Sequence, residues 1–306
     1  MSQSLFPSSS SSKNRVVRRA VPWLVLFGIG IAWGAAAPLA KFAVSSGHHP
    51  IAAAFWNIAT AAILVTLARC VFPSGLRLSW PTLRFFFVCG FLGRALPITL
   101  AYEAFARLPV GLVVLLLATT PLMTLFISAF MRAETLAGGK VIGLFLGFAA
   151  IVLVIVGSSG VNSINSPIIL MLPVLIALSY AAEGTFIKTH KPPTMSTLTA
   201  VFGTTWSALI LLLPLALLHG AWSVLREPGL VEAAIAGGAF LHLCGYFGFV
   251  WLIGRAGPAF SSQVGYLVTA TGVVTGMVFY DEHLTPAVWL AAALLGAGLM
   301  IVKPNR

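Results

Sequence analysis

The chain has very few charged residues for its length. Only 8% of its 306 residues are Asp, Glu, Lys or Arg, whereas 59% are hydrophobic. This leaves too little polar surface to cover a water-soluble globule of that size, so the expected solvent is a lipid bilayer. The scarcity of charge therefore excludes an ordinary soluble domain.

Acidic residues and cysteines are especially scarce. Seven Asp and Glu residues stand against 18 Lys and Arg residues, which gives a net charge of +11. The three cysteines, Cys70, Cys89 and Cys244, are odd in number and lie in or beside apolar stretches, which favours packing over disulfide, metal or redox chemistry. We predict no metal site and no cofactor.

Catalytic motifs are absent as well. The sequence contains no HExxH, GxSxG or DxxD motif, and its six histidines form no paired cluster inside the apolar stretches. An intramembrane enzyme would need such groups, so the sequence favours a protein that is not an enzyme.

Long apolar runs are the dominant positive feature. Each is apolar on every side, whereas the strands of a membrane barrel would alternate apolar and polar residues, so we predict an all-α membrane protein. The ten predicted spans are 23–44, 50–70, 81–102, 110–131, 139–156, 168–187, 196–218, 231–253, 258–280 and 285–302.

The basic residues have an uneven distribution along these spans. With ten spans and a cytoplasmic N-terminus, 14 of the 18 Lys and Arg residues fall on the cytoplasmic side, and the outer loops contain only Arg107 and Arg226. The positive-inside rule then predicts a multi-pass protein of the bacterial inner membrane with both termini in the cytoplasm. The positive charge is interpreted as a rim against anionic lipid headgroups and not as a nucleic-acid site.

The second half of the chain repeats the first. Arg107 is followed by an apolar run and Glu134, and Arg255 is followed by an apolar run and Glu282, with 27 positions between Arg and Glu in both copies. Five spans per copy is an odd number, so the two copies must have opposite orientations in the membrane, as in many secondary transporters. We predict two inverted five-helix repeats around a central cavity.

The repeat also divides the chain into segments. Residues 1–22 are rich in Ser and basic residues and are predicted to be a disordered cytoplasmic N-terminus. The first repeat is assigned to 23–156, a linker to 157–167 and the second repeat to 168–303.

Two charges, Arg94 and Glu183, lie farther from the ends of their predicted spans than the other charged residues do. Arg94 falls near the middle of the third span, where an arginine costs about 2.5 to 3.5 kcal/mol on insertion scales, and Glu183 falls in the sixth. Each could contact a substrate, they could pair with each other, Arg94 could cap the carbonyls of a broken helix, and Glu183 could carry a proton or pair with a lysine. The sequence leaves these alternatives open.

Aromatic and polar residues recur on helical faces near these charges. They could line a binding site for a small amphipathic solute, although core packing explains them nearly as well. Three prolines are candidates for helix breaks or gating positions. The candidate substrate-binding residues are Arg94, Glu183, Trp33, Tyr102, Tyr180, His242, Tyr246, Tyr266 and Thr269, and the prolines are Pro38, Pro97 and Pro121.

In each copy an acidic residue, Glu134 or Glu282, precedes a Thr-Leu or Leu-Thr pair and a Gly/Ala-rich apolar helix. This pattern resembles the EamA-type repeats of the drug/metabolite transporter superfamily, and is most similar to bacterial exporters of amino acids, including aromatic ones, and other metabolites. The resemblance implies inverted five-helix halves, alternating access, and a structural role for Glu134 and Glu282 at loops. It assigns no role to Arg94 or Glu183.

The favoured hypothesis is a secondary transporter that exports small amphipathic metabolites, above all amino acids, from cytoplasm to periplasm. It would work as a monomer whose partners are the solute and the bilayer. The alternative is an exporter of organic cations or lipophilic drugs, in which Glu183 and the aromatic residues would dominate. Neither the exact substrate nor proton coupling follows from the sequence.

Overall fold

The structure, a computed structural model, describes residues 9–76, 78–130, 142, 145, 146, 148–150, 152, 153, 167–222 and 229–301. All regular secondary structure within these residues is helical. The helices of the described part that we label are α1 (Ser9–Ser45), α2 (Pro50–Val71), α3 (Trp80–Arg107), α4 (Val110–Phe130), α5 (Met171–His190), α6 (Thr197–Leu218), α7 (Leu230–Ala256), α8 (Pro258–Tyr280) and α9 (Pro286–Ile301).

Eight helices in the described residues, α1 to α8, contain apolar stretches long enough to cross a bilayer. They match eight of the ten predicted spans to within a few residues at most ends. The predicted tenth span corresponds to α9, which has 16 residues. The predicted fifth span, 139–156, the linker 157–167 and Glu134 lie wholly or mostly outside the described residues.

The helix ends follow from local sequence. α6 begins where the Ser196 hydroxyl accepts a hydrogen bond from the backbone N–H of Thr199 at 3.1 Å. α7 ends because Gly257 has a φ of 84° and Pro258 starts the next helix. α1 begins at Ser9, so the helix extends into the N-terminal segment for which the sequence predicts disorder.

The helices of the first half pack mainly against helices of the second. α1 lies against α7 and α8, α2 against α6 and α7, α3 against α5 and α6, and α4 against α5 and α8. Each half therefore buries its apolar faces on the other, and the centre of the molecule lies between them. A site at this centre has walls from both halves.

A π-helical turn interrupts α3 at Phe91–Ala95. The backbone N–H of Leu96 donates to the carbonyl of Phe91, five residues back, and Pro97 has no N–H to continue the pattern onto Leu92. The Ser179 hydroxyl of α5 donates to the Leu92 carbonyl at 2.6 Å instead. Pro97 and Ser179 together account for the turn, which contains Arg94.

The connection between α3 and α4 is held from both halves of the chain. The Lys41 ammonium of α1 donates to the carbonyls of Phe105 at 2.7 Å and Leu108 at 3.0 Å, where α3 ends. The Glu282 carboxylate accepts the backbone N–H groups of Val110 at 2.5 Å and Gly111 at 2.8 Å, where α4 begins. Each charge complements the dipole of the helix end that it contacts.

Neutralising Glu282 is expected to destabilise the protein. In Glu282→Gln the amide keeps one acceptor oxygen but turns its NH₂ group toward the second backbone N–H, so one hydrogen bond is lost and the charge no longer complements α4. We expect the free energy of unfolding to fall by about 1 to 2 kcal/mol.

Thermal unfolding of the purified protein in detergent measures this loss. The matched control is Asp281→Asn, which also removes one negative charge, because the Asp281 side chain is exposed and lies 3.7 Å from the equally exposed His283. Equal melting temperatures for the two variants would contradict the capping role of Glu282.

Candidate functional site

Arg94 lies on the π turn of α3 and is completely buried. Its guanidinium carbon is 4.7 Å from the centre of the Tyr246 ring, over the ring face. None of its three side-chain nitrogens has a hydrogen-bond partner among the described residues. A cation over an aromatic face is stabilised by the ring quadrupole, but its N–H groups remain free to bind an acceptor.

Glu183 of α5 is also completely buried. One carboxylate oxygen, Oε1, accepts a hydrogen bond from the Tyr246 hydroxyl at 2.5 Å, and the other, Oε2, has no partner among the described residues. Gly93, next to Arg94, has no side chain, and a Cβ at that position would overlap the carboxylate. The close approach of α5 to the π turn therefore depends on glycine at position 93.

Tyr246 of α7 links the two charges. Its hydroxyl donates to Glu183 while its ring face is covered by Arg94. No direct ion pair joins Arg94 to Glu183 among the ion pairs of the described residues. The sequence predicts either a direct pair or separate roles, whereas the structure has a pair mediated by a tyrosine. We call Arg94, Tyr246 and Glu183 the charged triad.

A cavity of about 110 Å³ lies between the two halves. This volume holds several water molecules and therefore suits a small solute. Helices of both halves supply its wall, which is mainly apolar and aromatic. The lining residues are Trp33, Ala36, Ala37, Ala40, Asn57, Ile98, Ala101, Tyr102, Phe105, Val114, Leu117, Thr120, Ile176, Tyr180, Gly238, His242, Phe249, Ser262, Val264, Gly265 and Val268.

Trp33 is the centre of a ring cluster on this wall. Its indole stacks on Tyr180 and His242 at centroid distances of 6.0 and 5.5 Å and leans against Phe249 at 5.5 Å. The indole N–H donates to the His242 carbonyl at 3.1 Å. Gly245 leaves room for the indole, which a Cβ there would overlap. We call Trp33, Tyr180, His242 and Phe249 the aromatic layer.

The aromatic layer connects the cavity to the charged triad. Tyr180 and His242 line the cavity and are also close enough to Arg94 to interact with it electrostatically. The triad residues themselves are absent from the cavity lining that the described residues form. The cavity lining therefore contains no Arg, Lys, Asp or Glu among the described residues, and Arg94 and Glu183 are buried outside it.

The other predicted residues are distributed around the cavity. Tyr102 lines it, whereas the Thr269 hydroxyl donates to the carbonyls of Val114 and Gly265 and holds α8 to α4. Tyr266 is outside the lining, and its hydroxyl is buried without a partner among the described residues.

The three prolines have different surroundings. Pro97 adjoins the π turn. Pro121 follows an interruption of α4, where the Thr120 hydroxyl donates a hydrogen bond to the Leu117 carbonyl at 2.6 Å. Pro38 lies within α1, and its carbonyl accepts from the Tyr280 hydroxyl at 2.7 Å. Two prolines thus coincide with irregular helix turns, and the third is an anchoring point between α1 and α8.

Sequence reasoning did not assign two residues to the site. Asn57 of α2 lines the cavity, although its amide in an apolar span is equally typical of helix packing. Gly93 is required by the position of Glu183. One amide in an apolar span and one of 29 glycines are not distinctive in the sequence. Their roles become clear only once the facing helices are known.

Eight apolar helices that place a cavity between two interlocked halves define a multi-pass membrane protein with the architecture of a transporter. The model of the EamA-like transporter family matches residues 21–156 and 166–303, so the chain belongs to this family and is a membrane transporter. The two matches place one family repeat in each half. Members of this family are transporters and not enzymes.

Two similar proteins extend this result. An "Uncharacterized transporter" of Archaeoglobus fulgidus is 23% identical over 290 residues, which cover 93% of this chain and 99% of that protein. A solved structure, described only as "Crystal structure of protein", has a TM-score of 0.63 and 18% identity and covers 92% of this chain and 96% of its own. The structural likeness concerns the fold alone.

Proposed function

We propose that this transporter exports small amphipathic metabolites, above all amino acids, from cytoplasm to periplasm. The observation that carries the proposal is the charged triad, in which a buried guanidinium and a buried carboxylate each have unpaired polar atoms beside an aromatic cavity. A zwitterion offers a carboxylate for Arg94, and its apolar side chain fits the ring-lined wall.

The charged triad and the solute meet in a different state of the transport cycle from this one. In this structure Tyr180 and His242 are part of the cavity lining and Arg94 is not, so the substrate carboxylate can reach the guanidinium only when the wall rearranges. Alternating access supplies such a rearrangement, because the two halves move relative to each other around a central site. Until then Arg94 attracts the carboxylate through the field of its charge, which a low-dielectric interior weakens less than water does.

The transporter is proposed to act as a monomer in the bacterial inner membrane with both termini in the cytoplasm. The support is the distribution of basic residues, which places 14 of 18 on that side. Outward movement of solute follows from the resemblance to bacterial metabolite exporters.

A second candidate substrate class is organic cations. It is favoured by one observation, the free Oε2 atom of Glu183 next to a wall of aromatic rings. A cation would bind to ring faces and the carboxylate. It would leave the Arg94 guanidinium without an acceptor, so this candidate explains fewer of the buried groups.

Uptake into proteoliposomes that contain the purified protein tests the two classes. We expect saturable flux of labelled neutral or aromatic amino acids and weaker flux of tetraphenylphosphonium, an organic cation. Flux of the cation alone would reject the amino-acid proposal. The same assay with a pH gradient shows whether amino-acid movement is coupled to protons, and vesicles without protein are the control.

A further inference from the structure

We propose that Asn57 and Tyr102 form a second polar subsite of the cavity, which accepts hydrogen bonds from the ammonium group of the substrate. The inference rests on the proposed export of amino acids and names the group that binds the opposite end of the zwitterion from Arg94. Both side chains line the cavity, one from α2 and one from α3.

The Asn57 amide has an unused acceptor. The side chain is only 4% exposed, and its Nδ2 donates to the Tyr102 hydroxyl at 3.2 Å. Its Oδ1 has no hydrogen-bond partner among the described residues. A buried amide oxygen without a donor is costly, and this oxygen is inaccessible in the present structure, so a solute would satisfy it after the same rearrangement that opens Arg94.

Tyr102 fixes the direction in which this oxygen points. Because Nδ2 is held by the phenolic oxygen, the other arm of the amide is directed away from Tyr102. Gly238 of α7 faces the same amide, with Nδ2 at 3.6 Å from the position that a Cβ of residue 238 would take. α7 therefore packs against the donor arm of the amide, and Gly238 allows this close approach.

The subsite lies one helical turn from the residues that approach Arg94. Gly238 precedes His242 by four residues on α7, which is a rise of about 6 Å. Asn57 is beside Gly238, and Arg94 is close to His242. Gly238 and His242 both line the cavity from one face of α7, so a solute in the cavity can extend from the side of Asn57 toward the side of Arg94.

Glu183 is the other candidate for the ammonium, but its position is less suitable. Its Oε1 already accepts a hydrogen bond from the Tyr246 hydroxyl, and its charge is already balanced by Arg94 through that tyrosine. Asn57 is on the wall itself. A neutral acceptor also distinguishes a solute with an N–H from one without, because the unpaired oxygen disfavours the analogue that lacks the donor.

The test compares solutes that differ only in the amino group. Wild-type protein in proteoliposomes transports labelled L-phenylalanine in competition with unlabelled L-phenylalanine or hydrocinnamate, its analogue without the amino group. L-alanine and propionate form a second pair. The discrimination ratio is the half-inhibitory concentration of the analogue divided by that of the amino acid. We expect a high ratio for the wild type.

Three variants then locate the acceptor. Asn57→Leu removes it at similar volume and is expected to lower the ratio at least about tenfold, whereas Asn57→Asp keeps an acceptor and is expected to preserve or raise the ratio. Tyr102→Phe releases the amide and is expected to lower the ratio by a smaller factor. The control Gln263→Leu removes an amide outside the cavity lining and is expected to leave the ratio unchanged.

Each result has a definite meaning. An unchanged ratio in folded Asn57→Leu, or a lost ratio in Asn57→Asp, overturns the subsite while leaving amino-acid transport intact. If Asn57→Leu does not fold, Asn57→Asp and Tyr102→Phe decide. Absence of amino-acid flux in the wild type overturns the proposed function, and the subsite assignment with it.

Discussion

Amino-acid transport is expected to fall about 100-fold or more when Arg94 is replaced with methionine. Methionine is similar in length and apolar, so it fills the buried volume but offers no donor to a substrate carboxylate. Losing one partner of a buried charge pair costs about 2 to 5 kcal/mol, and 2.7 kcal/mol corresponds to about 100-fold in rate. Removing the guanidinium also leaves the buried Glu183 carboxylate without its countercharge, so we expect a loss of stability as well, which is measured separately.

Initial rates in proteoliposomes at matched protein content measure this effect. The control is Arg84→Met, which makes the same replacement at an exposed position on the same helix. Thermal unfolding in detergent shows whether each variant is folded, and Arg94→Lys, which keeps the charge but not the planar fork, is measured beside it. Normal transport by folded Arg94→Met would mean that Arg94 does not bind the substrate.

Gly93→Ala is expected to disturb the charged triad that lies beside it. The new Cβ would overlap the Glu183 carboxylate, so either α5 moves away from the π turn or the carboxylate leaves Tyr246. Overpacking of a core costs about 1 to 3 kcal/mol. We therefore expect a lower melting temperature together with loss of most transport.

Two further variants test whether steric overlap with the Glu183 carboxylate causes the loss of stability in Gly93→Ala. In Gly254→Ala the added Cβ meets no atom within 4 Å, and since alanine is the better helix former this control should be as stable as the wild type or more so. Gly93→Ala combined with Glu183→Ala removes the overlap and should recover the melting temperature without transport. A double variant as unstable as Gly93→Ala would show that the carboxylate is not the obstacle.

Hydropathy was sufficient to predict the spanning helices. A bilayer imposes a minimum length of apolar chain, and for this reason eight predicted spans agree with helices of the structure. The repeat was visible because Arg107 and Arg255 stand at equal distances from Glu134 and Glu282. The structure adds what Glu282 does: it caps α4 of the other half.

The contacts within the site could not be predicted in the same way. Arg94 and Glu183 stood out because charge is rare in a span, but their separation by Tyr246 depends on how α3, α5 and α7 pack. Helical spacing placed Tyr246 on the same face as His242. It could not show that His242 lines the cavity while Tyr246 lies behind it, since that depends on the depth of each helix.

The π turn in α3 determines which residues of that helix face the site. Each residue of an α-helix turns the chain by about 100°, and a π turn contains one residue more than the α-helical turn it replaces. Deleting one residue between Phe91 and Ala95 would restore regular α-helix and rotate everything on one side of the deletion relative to the other. Arg94 could then no longer face Tyr246 in the same structure in which Tyr102 faces the cavity. The number of residues in this helix is therefore as much a part of the site as the identity of its side chains.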